Sequence, residues 1–245
     1  MSVIKVELSH NSYQSLVSDI DRYFSCSDVV LQADRNTIKE VEFNGEVLVV
    51  KSYKEPSIIS SFIYTYFRKS KAWRAYEYGL KAAKFTPKVI ARIEFFKPLL
   101  TSSYLICYKF ESDFDIRRPL LDNDFPDRDE IFRQFSNFVY QMHQEGIFHN
   151  DLSPGNILIK KSDKDYQFQI VDINRMTFKK IGKKNRVKNF NKLWADDKDL
   201  LLILTYYASI SNMDANFVDI GLKCNQKNKL RKTRKLNLKK ALGLW

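Results

Sequence analysis

One short segment restricts the fold and chemistry of this chain more than any other. It reads His149-Asn150-Asp151-Leu152-Ser153-Pro154-Gly155-Asn156-Ile157-Leu158-Ile159, and a second aspartate, Asp172, follows the next apolar run. Asp, Ser, Pro, Gly and Asn all favour turns, so the segment taken alone could be a simple turn. Its neighbours argue against that interpretation, because a predicted helix ends at Gly146 and apolar strands lead on to Asp172. The pattern therefore predicts a loop that presents a carboxylate and an amide, followed by another carboxylate.

Kinase-type phosphotransferases space a catalytic loop and a metal ligand in this way. Phosphoryl transfer leaves the protein little covalent chemistry to do, so catalysis consists of positioning the reactants and neutralising charge. We predict that Asp151 is the base that accepts the proton of the acceptor hydroxyl, and that Asn156 and Asp172 are magnesium ligands. His149 could act as an acid, but we expect it to pack in the core and bind the loop backbone. His143 receives no functional role.

A strand that ends in Val49-Val50-Lys51 supplies the candidate nucleotide-binding lysine. Kinases place here the lysine that grips the α- and β-phosphates of ATP, although Lys54 competes with Lys51 for the role. Glu77, in the helix that follows, is the candidate ion-pair partner of Lys51 and the second nucleotide-site residue.

The glycine-rich lid that covers the phosphates in kinases has no counterpart in this sequence. The chain has only seven glycines, and none lies in the turn at residues 32–36. We expect this turn to replace the lid, through its backbone amides and Arg35 or Asn36.

The predicted elements indicate an α+β chain. Residues 37–43 alternate between apolar and polar, and Asn44-Gly45 is a favoured two-residue hairpin turn. Residues 47–53 are predicted to form the second strand of this hairpin. Helices are predicted over 15–24, 63–83, 129–145 and 197–210, further strands over 91–96, 102–108, 157–159 and 168–171, and a polar connector over 111–128. Ala72, Tyr76 and Leu80 recur at helical spacing, and Leu200, Leu201, Leu204 and Tyr207 are expected on the buried side of the last helix. We expect a small strand-rich N-lobe over residues 1–109, with one helix, and a short, mainly helical C-lobe over residues 110–245.

The net charge of +12 is concentrated in two segments. Residues 173–195 hold eight Lys or Arg and no acid, and residues 220–245 hold nine more, again without an acid. Subtracting these seventeen charges from +12 leaves the rest of the chain at −5. Local basicity indicates an anionic partner, such as a phosphorylated glycolipid, a membrane surface or a nucleic acid. A solvated lysine-rich face is the alternative for the second segment.

Other features of the sequence bear on the cellular compartment of the protein. No apolar run approaches the roughly 20 residues that cross a bilayer, and residues 1–7 lack the apolar core of a signal peptide. Cys26, Cys107 and Cys224 are odd in number and widely spaced, which suggests neither a disulfide framework nor a zinc site. We expect a cytoplasmic protein that can bind peripherally to the inner face of the cytoplasmic membrane.

The loop at residues 149–156 and the run Val171-Asp172-Ile173-Asn174-Arg175 resemble the bacterial lipopolysaccharide core kinases, the Kdo and heptose kinases. Residues 50–53 and 70–77 fit the same pattern, so the resemblance covers roughly residues 35–210. It implies a bilobal protein-kinase-like fold, ATP and Mg²⁺ as cosubstrates, and phosphorylation of a sugar hydroxyl of the lipid A-core. The five residues given nucleotide, metal and catalytic roles above take the same roles in this family.

Three departures from protein kinases bear on the acceptor. Ser153 stands where Ser/Thr protein kinases have a lysine, and Asn150 replaces the arginine that reads a phosphorylated activation loop. Ile173-Asn174 follows Asp172 where protein kinases have Phe-Gly. A small-molecule or glycolipid acceptor fits this pattern better than a protein.

The first basic segment begins where the acceptor should dock. Lipid A-core is polyanionic, so Arg175, Lys179 and Lys180 are candidate acceptor-binding residues, and no specific nucleic acid is expected as a partner. Two alternatives stay open: a kinase for another acceptor, such as an aminoglycoside or a protein, and an inactive kinase-like scaffold or nucleic-acid-binding protein. An aminoglycoside is cationic and would be met by acids. An inactive scaffold would not need to keep the predicted base and both predicted magnesium ligands, Asp151, Asn156 and Asp172.

Overall fold

The computed structural model describes residues 3–163 and 165–243, and these form two compact units. One unit runs up to Glu111 and also includes Val171–Arg175; the other comprises Ser112–Ile170 and the chain from Met176 onward. The lobe boundary between residues 109 and 110 stays a prediction. Residues 1–2, which belong to the segment that lacks the apolar core of a signal peptide, residue 164 of the predicted turn, and residues 244–245 of the second basic segment lie outside the described residues.

The first unit is built on a six-stranded antiparallel sheet in the order β1-β5-β6-β4-β3-β2. Its strands are β1 (Val3–Leu8), β2 (Val30–Ala33), β3 (Asn36–Phe43), β4 (Glu46–Tyr53), β5 (Val89–Phe96) and β6 (Leu100–Tyr108). Two short helices, α1 (Gln14–Ser18) and α2 (Ile20–Cys26), pack apolar residues into the same core as Leu48 and Val50 of β4. They replace the single helix expected over 15–24. Because side chains alternate along a strand, Lys51 faces away from that core.

The predicted hairpin is confirmed. Asn44 and Gly45 have φ values of 52° and 80°, which is the left-handed backbone that a two-residue turn between twisted strands requires. The pairing of Phe43 with Glu46 sets the register, and Ile38 lies opposite Lys51. The turn chemistry therefore fixes where Lys51 falls along the sheet.

The single helix predicted over residues 63–83 is wrong. The structure has two helices, α3 (Ile58–Tyr66) and α4 (Lys71–Lys81). Ser70 separates them as the N-cap of α4, and its hydroxyl accepts a hydrogen bond from the Trp73 backbone N–H at 2.9 Å. A serine that satisfies an otherwise unpaired first-turn amide starts a new helix, which the apolar periodicity alone does not reveal.

The buried face of α4 differs from the expected one. Ala72 and Tyr76 are buried as their spacing indicated, but Leu80 is 50% exposed. Gly79 takes its place, because the helix approaches β5 so closely that an added Cβ would lie 2.5 Å from Val89 Cγ1. A close approach of this kind favours glycine over leucine at the contact.

The second unit is centred on α6 (Arg128–Gln144), α8 (Asp197–Ile210) and α9 (Ala215–Ala241), with α7 (Lys183–Phe190) beside α9. Helix α6 ends before Gly146, which has a φ of 72°, and α8 has the predicted bounds. Leu200, Leu204 and Tyr207 of α8 are buried as expected, whereas Leu201 is 46% exposed. The expected connector over 111–128 contains a two-residue strand, β7 (Phe114–Asp115), and α5 (Arg117–Leu121).

Two small sheets of this unit hold the loop that carries Asp151. Strand β8 (Ile147–His149) enters the loop and pairs with β11 (Met176–Phe178). Strand β9 (Ile157–Lys161) leaves it and lies between β7 and β10 (Tyr166–Ile170). The ends of the loop are thus fixed by two separate strand pairings.

The nine basic residues of the second basic segment lie in α9. Residues 230–243 are exposed on every side of the helix. Lys229 Nζ lies 3.1 Å from Asp197 Oδ1, and Lys232 Nζ lies 3.6 Å from the centroid of the Trp194 ring. Within the ranges described, no helix combines the length and apolar character needed to span a membrane.

Candidate active site

In the first unit, Lys51 and Asp172 form an ion pair although 121 residues separate them in the sequence. Lys51 Nζ lies 2.5 Å from Asp172 Oδ1. The two side chains are 12% and 28% exposed, so water screens their attraction less than it would on an open surface. The fold thus brings together two of the predicted site residues.

The backbone at Asp172 has a φ of 56°, in the left-handed region that Asp and Asn tolerate better than most residues. Asn174 Nδ2 donates a hydrogen bond of 2.8 Å to Asp172 Oδ1, and Arg74 Nη1 donates one of 3.1 Å to the Asn174 carbonyl. Lys51 and Asn174 therefore both orient the Asp172 carboxylate. Sequence reasoning missed Arg74 and Asn174. An amide two residues after an aspartate is a recognisable local pattern, whereas nothing in the sequence marks Arg74.

The ion pair between Lys51 and Glu77 expected from the sequence is not found. Among the described residues, the ion-pair partner of Lys51 is Asp172, and Glu77 makes no ion pair with it. Lys54, the competing lysine, is exposed, and its backbone N–H donates to Asn36 Oδ1 at 3.2 Å. Lys51 is thus the lysine that the fold places beside Asp172, and a nucleotide role for Glu77 stays a prediction.

Groups beside this pair are held neutral. Lys51 Nζ lies 5.3 Å from the centroid of the Tyr53 ring, and burial raises the pKa of Tyr53, with Asp172 raising it further. Burial also raises the pKa of the Cys107 thiol to about 12. Neither group is ionised near neutral pH, so neither competes with Asp172 for the lysine charge.

In the second unit, the loop is held by bonds to its backbone. Asn156 Nδ2 donates to the Asp151 carbonyl at 2.9 Å, and the Ser153 N–H donates to the same carbonyl at 2.8 Å. The Asp151 N–H donates to His149 Nδ1 at 3.2 Å, and His149 is fully buried. The structural role expected for His149 is therefore confirmed. Asn156 is fixed to the loop through its nitrogen, so its amide oxygen keeps its capacity to accept or ligate.

A buried chain of hydrogen bonds supports this loop from behind. Asn189 Nδ2 donates to the His149 carbonyl at 2.7 Å, and Asn189 Oδ1 lies 2.8 Å from His143 Nε2. His143 Nδ1 lies 2.8 Å from the Tyr207 hydroxyl, which accepts from Arg186 Nη1 at 3.1 Å. Because the Asn189 oxygen can only accept, His143 carries its proton on Nε2 and accepts from Tyr207 at Nδ1. Sequence reasoning gave His143 no role. The position of His143 on the buried face of α6 is the feature that could have indicated its structural role.

Acidification should weaken the fold through His143. Burial lowers the pKa of this histidine from 6.5 to about 4, with the Arg186 charge lowering it further and the Asn189 bond opposing the shift. Between these two values the unfolded chain binds a proton that the folded chain does not, so the free energy of unfolding falls as pH drops from 6.5 towards 4. The full effect is about 3 kcal/mol. Urea unfolding at several pH values measures it.

His143→Gln removes the titrating group, so its stability should vary less with pH over this range than that of the wild type. His10→Gln is the matched control, because His10 is exposed. Equal pH slopes for His143→Gln and the wild type would contradict the assignment.

The first basic segment is partly structural. Lys183 Nζ pairs with Asp214 Oδ1 at 2.7 Å, and Arg186 Nε donates to the Ile181 carbonyl at 3.1 Å. Lys179 and Lys180 have exposed side chains, as does Arg175. These three are accessible for binding an anionic group, whereas Lys183 and Arg186 contact other groups of the protein.

Over the described ranges there is no group of three or more His, Cys, Asp or Glu that could hold a metal ion. The predicted magnesium ligands are of another kind, one carboxylate (Asp172) and one amide (Asn156). Both are hard oxygen donors, and magnesium keeps several waters and binds through one or two carboxylates plus substrate phosphates. The donor chemistry of this pair therefore fits magnesium.

A lysine paired with the aspartate that follows a strand, and an Asp–Asn loop between two strands, are the arrangement expected of a kinase-type phosphotransferase. The model of the lipopolysaccharide kinase (Kdo/WaaP) family matches residues 74–207, more than half of the chain. The chain belongs to this family, which confirms the resemblance found in the loop.

One solved structure supports the fold. The chain is similar to WaaP, solved in complex with acyl carrier protein, with 15% identity and a TM-score of 0.62 over 91% of this chain and 99% of that chain. It is also similar to the PknI kinase domain of Mycobacterium tuberculosis, with 12% identity and a TM-score of 0.42 over 82% of this chain and 94% of that one. No curated protein sequence matches at a significant level. The similarity to WaaP confirms the expected protein-kinase-like α+β fold.

Proposed function

We propose that this protein transfers a phosphoryl group from Mg-ATP to a sugar hydroxyl, Kdo or heptose, of the lipopolysaccharide core. The observation that carries the proposal is the 2.5 Å ion pair between Lys51 and Asp172. It supports a nucleotide site because phosphoryl transfer needs a cation for the phosphates next to a carboxylate for their metal. Membership of a kinase family supports ATP as the donor.

Each residue has one role in this proposal. Lys51 would bind the α- and β-phosphates, and Asp172 and Asn156 would hold magnesium. Asp151 would accept the proton of the sugar hydroxyl as the hydroxyl oxygen bonds to the γ-phosphorus, while the bond from the γ-phosphorus to the β–γ bridging oxygen breaks and ADP leaves. Magnesium, when bound, would neutralise charge on the phosphates. Glu77 would support the nucleotide site without an ion pair to Lys51.

The acceptor is proposed from charge. Arg175, Lys179 and Lys180 are exposed, and the rest of their segment has no acidic residue. Cations of this density attract a phosphorylated glycolipid and disfavour a cationic aminoglycoside. The exposed basic half of α9 supports a peripheral association with anionic lipid on the cytoplasmic side. Acyl carrier protein is a further candidate partner, since the solved WaaP structure contains it.

Mass spectrometry of lipopolysaccharide from cells with and without the protein tests the function. We expect the core from cells lacking the protein to miss one phosphate, and the wild-type gene to restore it. Lys179→Glu with Lys180→Glu should restore it poorly, because charge reversal repels the acceptor phosphates. Lys160→Glu with Lys161→Glu is a control pair on β9. Identical core masses in the two cell types would refute the function. If the variant with Lys179→Glu and Lys180→Glu restores the core phosphate fully, only the acceptor-binding role of these two lysines is refuted.

A further inference from the structure

Helix α3 turns small polar residues towards the protein and large apolar residues towards solvent. Ser61 is buried, and its hydroxyl donates a hydrogen bond of 2.7 Å to the Leu100 carbonyl of β6. The Leu100 N–H in turn donates to the Thr65 hydroxyl at 3.1 Å. Surface helices of globular proteins normally pack their apolar stripe against the core. In α3, hydrogen bonds to a strand backbone hold the polar side, so the apolar side stays uncovered.

The uncovered side of α3 is continuous. Six apolar side chains of the helix and its C-cap are between 40% and 83% exposed: Ile58, Ile59, Phe62, Ile63, Tyr66 and Phe67. We call these six residues the α3 face. At 3.6 residues per turn, the five members within the helix lie in an arc of about 140°. The Phe62 ring centroid lies 5.0 Å from that of Tyr66 and 5.8 Å from that of Phe67. Isolated exposed apolar residues are ordinary, whereas a contiguous patch indicates a binding surface.

Cations accompany the α3 face, and acids do not. Residues 56–76 contain four Lys or Arg and no Asp or Glu. Arg68 and Lys69 follow the face directly, and both are exposed. Within residues 3–163 and 165–243, neither forms an ion pair. The surface around the apolar patch therefore favours an anionic partner.

A cavity of about 220 Å³ adjoins the C-terminal end of the α3 face. Its wall includes two aromatic residues of that face and three cations, Lys5, Arg68 and Lys69. Glu94 also lines the cavity, but it is buried and already paired with Arg92. Cationic side chains beside an apolar surface suit the phosphate of a lipid headgroup, whose acyl chains require an apolar environment.

We propose that the α3 face inserts into the surface of a bilayer that contains anionic phospholipid, with Lys5, Arg68 and Lys69 on the headgroup phosphates. Apolar helix faces flanked by Lys and Arg lie in the plane of the membrane interface, and tyrosine is enriched at headgroup level. This contact is separate from the basic half of α9. It rests on the proposed function in that a membrane-held acceptor makes a bilayer available.

Charge argues against a second copy of the chain as the occupant of the α3 face. A two-fold contact would join the same patch of both copies, so Arg68 and Lys69 of one copy would lie close to those of the other. Like charges brought together in this way repel each other. An anionic membrane surface instead attracts them, by about 1 kcal/mol for each Lys or Arg near the surface.

Sedimentation of the full chain with vesicles of equal parts phosphatidylglycerol and phosphatidylcholine tests this surface. In about 0.5 M salt, screening shortens electrostatic attraction to about 4 Å, so insertion of apolar groups contributes most of the binding that remains. We expect the wild type to stay bound under these conditions. Phe62→Ser with Phe67→Ser should bind at least about tenfold more weakly, because two large apolar side chains no longer enter the bilayer.

Leu80→Ser with Leu121→Ser is the matched control. These leucines are 50% and 84% exposed, compared with 49% and 77% for Phe62 and Phe67, and they lie outside the α3 face. The control should bind vesicles like the wild type. Circular dichroism of each variant verifies that it is folded.

Arg68→Gln with Lys69→Gln tests the headgroup contacts. At about 0.1 M salt, we expect this variant to bind the mixed vesicles about tenfold more weakly than the wild type, through the loss of two cations near the surface. On vesicles of phosphatidylcholine alone, which carry no net charge, it should bind like the wild type. Equal affinities for the mixed vesicles would refute the role of these two cations.

Three outcomes decide the wider proposal. If the Phe62 and Phe67 variant is folded and binds vesicles like the leucine variant, insertion of the α3 face is refuted. If the wild type does not bind vesicles and forms dimers that this variant cannot form, as analytical ultracentrifugation would show, the face joins two copies and the membrane contact is refuted. If vesicle binding depends on Phe62 and Phe67 while lipopolysaccharide core masses are identical with and without the protein, the membrane contact stands and the proposed reaction fails.

Discussion

Asp151→Asn should lower kcat about a thousandfold while leaving the KM for ATP nearly unchanged. The amide keeps the shape of the side chain but cannot take the proton of the acceptor hydroxyl, and general-base catalysis contributes about 10²- to 10⁴-fold. The bonds that shape the loop use the Asp151 backbone: its carbonyl accepts from Asn156 and its N–H donates to His149. The substitution therefore alters the chemistry without removing those bonds. Steady-state rates with lipopolysaccharide lacking core phosphate measure the effect.

Asp163→Asn makes the same chemical change on an exposed residue between β9 and β10 and should retain full activity. A kcat for Asp151→Asn within about tenfold of the wild type would remove Asp151 from the role of base. A matching loss in Asp163→Asn would point to a general effect on the protein.

Asp172→Asn should lower kcat/KM by at least about a hundredfold and abolish the dependence of nucleotide binding on magnesium. Several kcal/mol of charge stabilisation are lost with a metal that no longer binds. Asn also tolerates the left-handed backbone at this position, so the φ of 56° adds little strain in the variant. Nucleotide affinity measured across a magnesium series separates metal binding from catalysis.

Without magnesium, the same variant should bind ATP no more weakly than the wild type, because a negative charge near the phosphates has been removed. Asp28→Asn is the control, an exposed aspartate of the same unit. An unchanged magnesium dependence in Asp172→Asn would exclude Asp172 as a metal ligand and leave only its pairing with Lys51.

Local chemistry explains the elements that could be predicted. The Asn44-Gly45 turn fixed the hairpin and the position of Lys51 along β4. Helix α8 has the bounds that its apolar periodicity predicts, and the left-handed backbone of Gly146 ends α6. Periodicity failed where a single polar residue decided the outcome, as at Ser70, whose hydroxyl starts α4 and breaks the helix predicted across it.

The sequence by itself determined the reaction type, since the residue types at positions 151, 156 and 172 and their spacing are what phosphoryl transfer requires. Only the tertiary structure decided the partners of these residues. It paired Asp172 with Lys51 and Asn174, left Glu77 without an ion pair to Lys51, and linked His143 through Asn189 to the loop. The physical reason is distance along the chain. Turns, caps and periodicity act over a few residues, whereas an ion pair across 121 residues exists only once sheet and helices have packed.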